Sequence, residues 1–198
     1  MLHLIYDTET TGLPIDYKAH VHDVDNWPRL VQLAWLVLDD NFETLTHRNY
    51  IINPHGLYEI PIEASNVHGI TDEMANDVGL DILVPLVEFQ LAQELCNVQV
   101  GHNVNFDRKV IGAEFIRAEM EEAYERAKSM DRICTMFKTT KFCGLRHANG
   151  RGGNKWPTLQ ELHTRIFGEG FEGAHDAMAD INATARCYEA LIHGGIIE

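Results

Sequence analysis

The chain has 198 residues, 45% apolar and 23% charged, a balance that excludes a disordered or fibrous protein and suits one domain with a sizeable core. No apolar run approaches the ~20 residues needed to cross a bilayer, and the start, MLHLIYDTET, lacks the basic-then-apolar pattern of a secretion signal. A formal net charge of −14 argues against a uniformly phosphate-binding surface.

Residues 2–7 (LHLIYD) and 30–38 (LVQLAWLVL) are apolar runs of strand length, and 48–53 (RNYIIN) reads as a third strand stopped by Pro54. Short runs with turn-prone stretches between them predict an antiparallel meander. From residue 61 the pattern becomes helical. Pro61 suits a helix start, and Thr71 before Asp72 and Glu73 suits an N-cap with acids in the first turn. An amphipathic segment over 81–96 carries Pro85 in its first turn. VQVGH at 98–102 reads as a short buried strand, 105–127 as one helix or two, and 133–136 as a further short strand. The stretch 143–155 (CGLRHANGRGGNK) is glycine-rich, basic and almost without apolar residues, so it reads as a loop. Thr158 caps a helix through Ile166 that Gly168 ends. A last helix runs from about Asp176 to Ile192, with Ala177, Ile181, Thr184, Tyr188 and Leu191 on one face and Gly194–Gly195 beyond it. Strands first, then helices around further strands, predict an α/β fold: a mixed sheet flanked by helices, in one domain over 1–198.

Charge is unevenly spread. Residues 1–100 hold 3 Lys/Arg against 16 Asp/Glu, whereas residues 126–165 hold 9 basic and 2 acidic side chains. A basic track on an acidic body suits an enzyme that must hold a polyanionic strand and release it, and equally suits a solvated loop. Cys96, Cys134, Cys143 and Cys187 form no CxxC pair and read as reduced thiols of a cytoplasmic protein.

Five side chains carry the chemistry. Asp7 and Glu9, two apart at the end of a strand, point to the same face about 6–7 Å apart along it, so one carboxylate can contact two cations while the other holds one of them. Gly12, after Thr10 and Thr11, allows close approach of a ligand to the backbone. Asp107 follows Asn103 and Phe106 just beyond a buried strand. His175 and Asp180 lie about 140° apart on a regular helix, which places His175 on the preceding loop or first turn and Asp180 one turn in. Each has a plainer reading alone. A D-x-E triplet is expected about once in a chain of this size, Asp107 could balance a helix dipole, and His175 could be a surface histidine. Together, four carboxylates and an imidazole are the donor set of a metal-dependent phosphodiester hydrolase. Hard oxygen donors favour Mg²⁺ or Mn²⁺ over structural zinc. Cys143 and His147 with Cys134 lack a fourth ligand, and His20 and His22 read as surface histidines.

YDTETTG, GHNVNFD and HDAMAD resemble, in type, order and spacing, the three motifs of the DEDDh 3′-to-5′ exonucleases, the group that includes the proofreading subunit of bacterial replicative DNA polymerase. His68-Gly69-Ile70-Thr71 is similar to a stretch near that group's nucleotide pocket, and the match extends from residue 2 to about 192. The resemblance implies a ribonuclease-H-like fold with a five-stranded mixed sheet and two divalent cations about 4 Å apart. It further implies that Asp7 bridges both cations, that Glu9 and Asp180 hold the nucleophile-side one, that Asp107 serves the other, and that His175 is the general base. Thr10, Thr11, Gly12, Leu13, His68, Asn103 and Phe106 then cradle the terminal nucleotide, with Leu13 as an apolar wedge between the last two bases.

The implied partner is nucleic acid with a free 3′ end, DNA in preference to RNA, cut to nucleoside 5′-monophosphates. A polymerase or another replication or repair protein is the implied protein partner, and no membrane is involved. An RNA-trimming or oligoribonucleotide-degrading enzyme is the alternative, since 2′-hydroxyl recognition depends on pocket shape. A non-catalytic, polymerase-associated subunit is the minor one, disfavoured because all five residues are present. Residues 14–28 and the basic loop 138–155 exceed the minimal pattern, as elaborations that guide the strand or meet a partner would. The chain stops soon after its last helix without the tail of the polymerase proofreading subunit, which argues against a dedicated proofreading role.

Overall fold

The computed structural model describes residues 1–197. Strand β1 (His3–Thr10) lies at the centre of a five-stranded sheet with β2 (Leu30–Leu38), β3 (Thr44–Ile51), β4 (Val98–Gly101) and β5 (Asp131–Cys134), in the order β3-β2-β1-β4-β5. The first three strands pair antiparallel and β1, β4 and β5 pair parallel, so the sheet is mixed as predicted. The helices are α1 (Ile62–His68), α2 (Asp72–Val78), α3 (Leu83–Leu95), α4 (Val104–Arg117), α5 (Glu121–Ser129), α6 (Thr135–Cys143), α7 (Leu159–Phe167) and α8 (Ala177–His193).

Alternation along β1 divides its side chains between two layers. Leu4 and Tyr6 pack with Phe89 and Phe115 of α3 and α4, while Ile5 packs with Ile181 and Tyr188 of α8. Both faces of the sheet are therefore covered, which is why β2 is buried along its whole length. None of the described helices is long and apolar enough to cross a membrane.

The structure corrects three boundaries. β1 continues to Thr10, three residues past the predicted end, because Asp7 and Glu9 still pair with Ala34 and Gln32 of β2. β3 starts at Thr44, before the predicted residue 48: an edge strand half open to water needs no apolar pattern, and Thr44–His47 have none. Residues 133–136, predicted as strand, divide between β5 and α6. Pairing stops at Gly101–Cys134, and Thr135 instead opens a helix closed by Gly144 in the left-handed region. The segment 105–127 resolves into α4 and α5, parted where Glu119 takes a φ of 57°.

A buried ion-pair group ties the long segment after β1 to α4. Glu114 is 1% exposed and accepts from Arg29 Nε at 2.9 Å and from the Leu30 amide at 3.0 Å, and Arg117 pairs with the same oxygen at 3.0 Å. Arg117 in turn donates to the carbonyls of Val24 and Trp27. Glu114→Gln is expected to cost ~2 kcal/mol, because two guanidinium groups lose their counter-charge in a dry site; chemical denaturation measures it, and unchanged stability would contradict this account.

The basic track also separates into two sets. Arg126 donates to the carbonyls of Gln93 and Cys96, and Lys128 and Lys155 pair with Glu125 and Glu161. Lys138, Lys141, Arg146 and Arg151 enter no salt bridge among the described residues.

Candidate active site

The parallel pairing of β1 with β4 brings the C-terminal ends of both strands to one edge of the sheet, where open α/β sheets form their crevices. The last paired residues are Ile5 and Val100; two steps further on each chain stand Asp7 and His102. Helix α4 begins immediately after β4, and Asp107 lies in its first turn, 3% exposed. Thr8, on the opposite face of β1 from Asp7 and Glu9, donates its hydroxyl to Asp107 Oδ1 at 2.8 Å and its amide at 3.2 Å. These bonds fix the carboxyl at the strand end across 99 residues of chain.

The fourth acid arrives from the other layer. Asp176 caps α8 by accepting from the Ala179 amide at 2.9 Å, and Gln32 of β2 takes part by accepting from the Ala177 amide at 3.2 Å. Asp180 thus sits in the first turn. His175 precedes the cap with a φ of 71°, in the left-handed region that a non-glycine residue occupies at a cost, and its amide donates to Asp180 Oδ2 at 3.1 Å. Ligand atoms of Glu9, His175 and Asp180 lie within 4.8 Å of one another.

All five predicted residues, Asp7, Glu9, Asp107, His175 and Asp180, line one cavity of about 330 Å³, together with Asn103 and Phe106. Among the described residues, no Lys or Arg lines it. The acids consequently resist ionisation. Burial pushes Asp7 well above the usual carboxylate range, reinforced by Asp107, Asp180 and Glu9. Burial and then Asp180 raise Glu9 to about 8. Burial lifts Asp107 to about 7 against the opposing bonds from Thr8, and Asp180 to about 6. Four crowded carboxylates without a compensating cation, all hard oxygen donors, fit divalent cations: Asp7, Glu9, Asp107 and Asp180 are the residues that would hold them.

The remaining predicted residues form an adjoining cavity of about 400 Å³, lined by Thr10, Thr11, Gly12, Leu13, His68 and Phe106. Thr10 and Thr11 brace their own turn: the Thr10 hydroxyl donates to the Gly12 carbonyl at 2.7 Å, and the Thr11 hydroxyl accepts from the Arg29 amide at 3.0 Å. Gly12 has a φ of 149°, with open space where a Cβ would project. Leu13 is 73% exposed at the mouth. His68 Nδ1 accepts from the Ile70 amide at 3.1 Å, and burial lowers the pKa of the ring.

Sequence reasoning missed Thr8, Gln32, Asp176 and His102. His102 Nε2 lies 2.9 Å from the Pro157 carbonyl and Nδ1 lies 3.0 Å from the Thr135 hydroxyl, and burial depresses its pKa to about 4. Nε2 therefore donates, and the neutral ring fastens the end of the basic loop to the site. Only Thr8 and Asp176 carried a local signal, as the residue beside Asp7 and as an acid at a helix start.

The model of the exonuclease family (RNase_T) matches residues 4–188. The chain belongs to this exonuclease family. It is therefore a hydrolytic exonuclease domain, and the divalent-metal requirement of that family agrees with the uncompensated carboxylates. A solved structure of exonuclease I superposes on this exonuclease with a TM-score of 0.76 at 22% identity, over 97% of this chain and 41% of that one. The zinc-bound complex of E. coli exonuclease I with single-stranded DNA gives 0.74 at 22% identity, over 98% and 40%. The E. coli enzyme with a dT13 oligonucleotide gives 0.74 at 22%, over 96% and 40%. The fold is thereby the ribonuclease-H-like exonuclease fold, and the chain spans about two fifths of the length of those proteins. No curated protein matches it. Nothing among these similarities singles out the polymerase proofreading subunit.

Proposed function

We propose that this exonuclease, acting as one domain over residues 1–198, removes nucleotides from the 3′ end of single-stranded or frayed DNA as nucleoside 5′-monophosphates, with two Mg²⁺ or Mn²⁺ ions. The observation that carries the reading is the meeting of Glu9, His175 and Asp180 within 4.8 Å in a cavity that Asp7 and Asp107 also line. The choice of DNA draws support from the single-stranded DNA complexes of E. coli exonuclease I, whose fold this chain shares.

Asp7, from its central position on β1, would bridge the two ions; Glu9 and Asp180 would hold one with it and Asp107 the other. When bound, the ions supply Lewis acidity toward water, phosphate and the departing oxygen. His175 acts as general base: its ring takes a proton from a water whose oxygen bonds to phosphorus. The bond from phosphorus to the 3′ oxygen breaks, that oxygen keeps the electron pair and takes up a proton from solvent, and the nucleotide leaves with its 5′-phosphate. The amide of His175 on Asp180 orients the base at a position open to water, where it can exchange its proton between turnovers. Leu13, Thr11, His68, Asn103 and Phe106 would hold the terminal nucleotide beside the carboxylates, and the polar cap of α8 keeps Asp180 in place.

The test uses 5′-labelled single-stranded DNA, RNA and blunt duplex, each with Mg²⁺, Mn²⁺ or EDTA. A ladder shortening from the 3′ end, fastest on single-stranded DNA and absent in EDTA, is expected. Faster cutting of RNA would replace the DNA assignment, and metal-independent cutting would overturn the mechanism. His175→Ala is expected to lower kcat by about 10²–10⁴-fold with cation affinity retained, measured by single-turnover release and calorimetric titration.

A further inference from the structure

Trp156 is 61% exposed, whereas the other two tryptophans, Trp27 and Trp35, are 3% and 4% exposed. Its ring meets Phe137 edge to face, with centroids 5.0 Å apart and planes at 83°. The backbone on either side of the ring is anchored despite its exposure. His102 grips the Pro157 carbonyl on one side, and on the other the Lys155 amide donates to the Leu145 carbonyl at 2.9 Å while its ammonium pairs with Glu161. A large aromatic face held open to water forgoes burial that a small rotation of a loose loop would recover, so the surroundings maintain it as a platform.

Three cavities meet at this ring. One of about 530 Å³ has Tyr17, Asn103, Phe106 and Phe137 in its walls. A second, about 620 Å³, reaches Asp7, His175 and Asp180. The third, about 490 Å³, is bordered by His147, Arg151 and Lys155. The first shares Tyr17, Asn103 and Phe106 with the carboxylate cavity, and Phe106 also borders the cavity of Leu13 and His68. A continuous trough therefore runs from the Leu13 cavity, past the acids, to an aromatic cleft and then to a basic loop. Both elaborated segments contribute, since Tyr17 comes from 14–28 and Arg151 and Lys155 come from 138–155, directly before Trp156. Lys109 holds the Tyr17 side in place, donating to the Tyr17 carbonyl and lying 4.8 Å from the Trp27 ring.

We propose that Trp156, with Phe137 and Tyr17, is a stacking cleft for the unpaired bases on the 5′ side of the scissile phosphate, and that Arg151 and His147 beyond it take the strand's phosphates. The inference rests on the exonuclease reading of the adjoining carboxylates. Aromatic faces accept any base, and cationic side chains track the backbone, the combination that binds single strands without sequence preference. Positive charge here offsets a body whose net charge is −14, so the cleft and its loop are where a polyanion meets least repulsion. A base engaged by the ring must be free of its complement, so the cleft selects ends with several unpaired nucleotides over blunt duplexes.

The test compares oligothymidylate with the p-nitrophenyl ester of thymidine 5′-monophosphate, which carries a nucleotide but no upstream strand. Trp156→Ala is expected to raise KM for the oligonucleotide roughly tenfold relative to KM for the ester, with Trp156→Phe restoring most of the difference. An unchanged ratio overturns the proposal. Binding is read separately by titrating oligothymidylate with Ca²⁺ present and following tryptophan emission. Quenching in the wild type that disappears in Trp156→Phe supports the contact; no quenching, or quenching that persists, overturns it. A wild type that cuts neither substrate would sink the exonuclease reading, and the emission titration would still decide the cleft.

Discussion

Asp7→Asn is expected to lower hydrolysis of single-stranded DNA by about 10⁴-fold while raising the thermal stability of the protein in EDTA. Burial is the main cause that pushes the Asp7 pKa up, and Asp107, Asp180 and Glu9, all of which it faces, add their repulsion. Asparagine keeps the shape, removes the charge and offers two N–H donors to the acids that remain. Without cations this relieves repulsion worth ~1–2 kcal/mol, so Tm rises. With cations the same change deletes the ligand proposed to bridge both of them. Release of mononucleotides and thermal unfolding, each with Mn²⁺ and with EDTA, separate the effects. Full activity in a nuclease-free preparation would sink the mechanism, and a lower Tm in EDTA would show that Asp7 is structural.

The metal-free protein is expected to lose stability, on the order of a few kcal/mol, between about pH 4 and pH 8. Glu9, Asp107 and Asp180 are raised to about 8, 7 and 6, above ordinary values of 4.5, 3.8 and 3.8. Across that window the folded chain binds more protons than the unfolded one, so stability falls as pH rises. The contribution is fully present below pH 4 and is lost as pH passes through the folded-state values. Divalent cations bind the ionised acids, so the gain in Tm on adding Mn²⁺ should grow from pH 5 to pH 8. Thermal unfolding at both pH values, with Mn²⁺ and with EDTA, measures this. A metal-free Tm that climbs from pH 6 to pH 8 would contradict the placement of the acids.

Spacing within one element was legible in the chain. Alternation put Asp7 and Glu9 on one face of β1, and the five-residue step from His175 to Asp180 separated a residue before the helix from one in its first turn. Helix α6 was missed because its first residues, Thr135 and Met136, continue an apolar run and its start has no side-chain cap. The early start of β3 was missed because an edge strand carries no apolar periodicity. His102 gave no signal of its own, since its partners Thr135 and Pro157 lie 33 and 55 residues away.

The sequence alone determined the donor types, their faces and caps, and the succession of strands and helices, because each follows from the few residues around it. The tertiary structure decided what those parts meet. Parallel pairing of β1 with β4 brings Asp7 level with the turn that leads into α4, and Thr8 then clasps Asp107; Gln32 holds the start of α8 against β2. It also decided that Trp156 stands open between three cavities. These meetings depend on burying both faces of one sheet, a gain summed over the whole chain, and no local spacing encodes it.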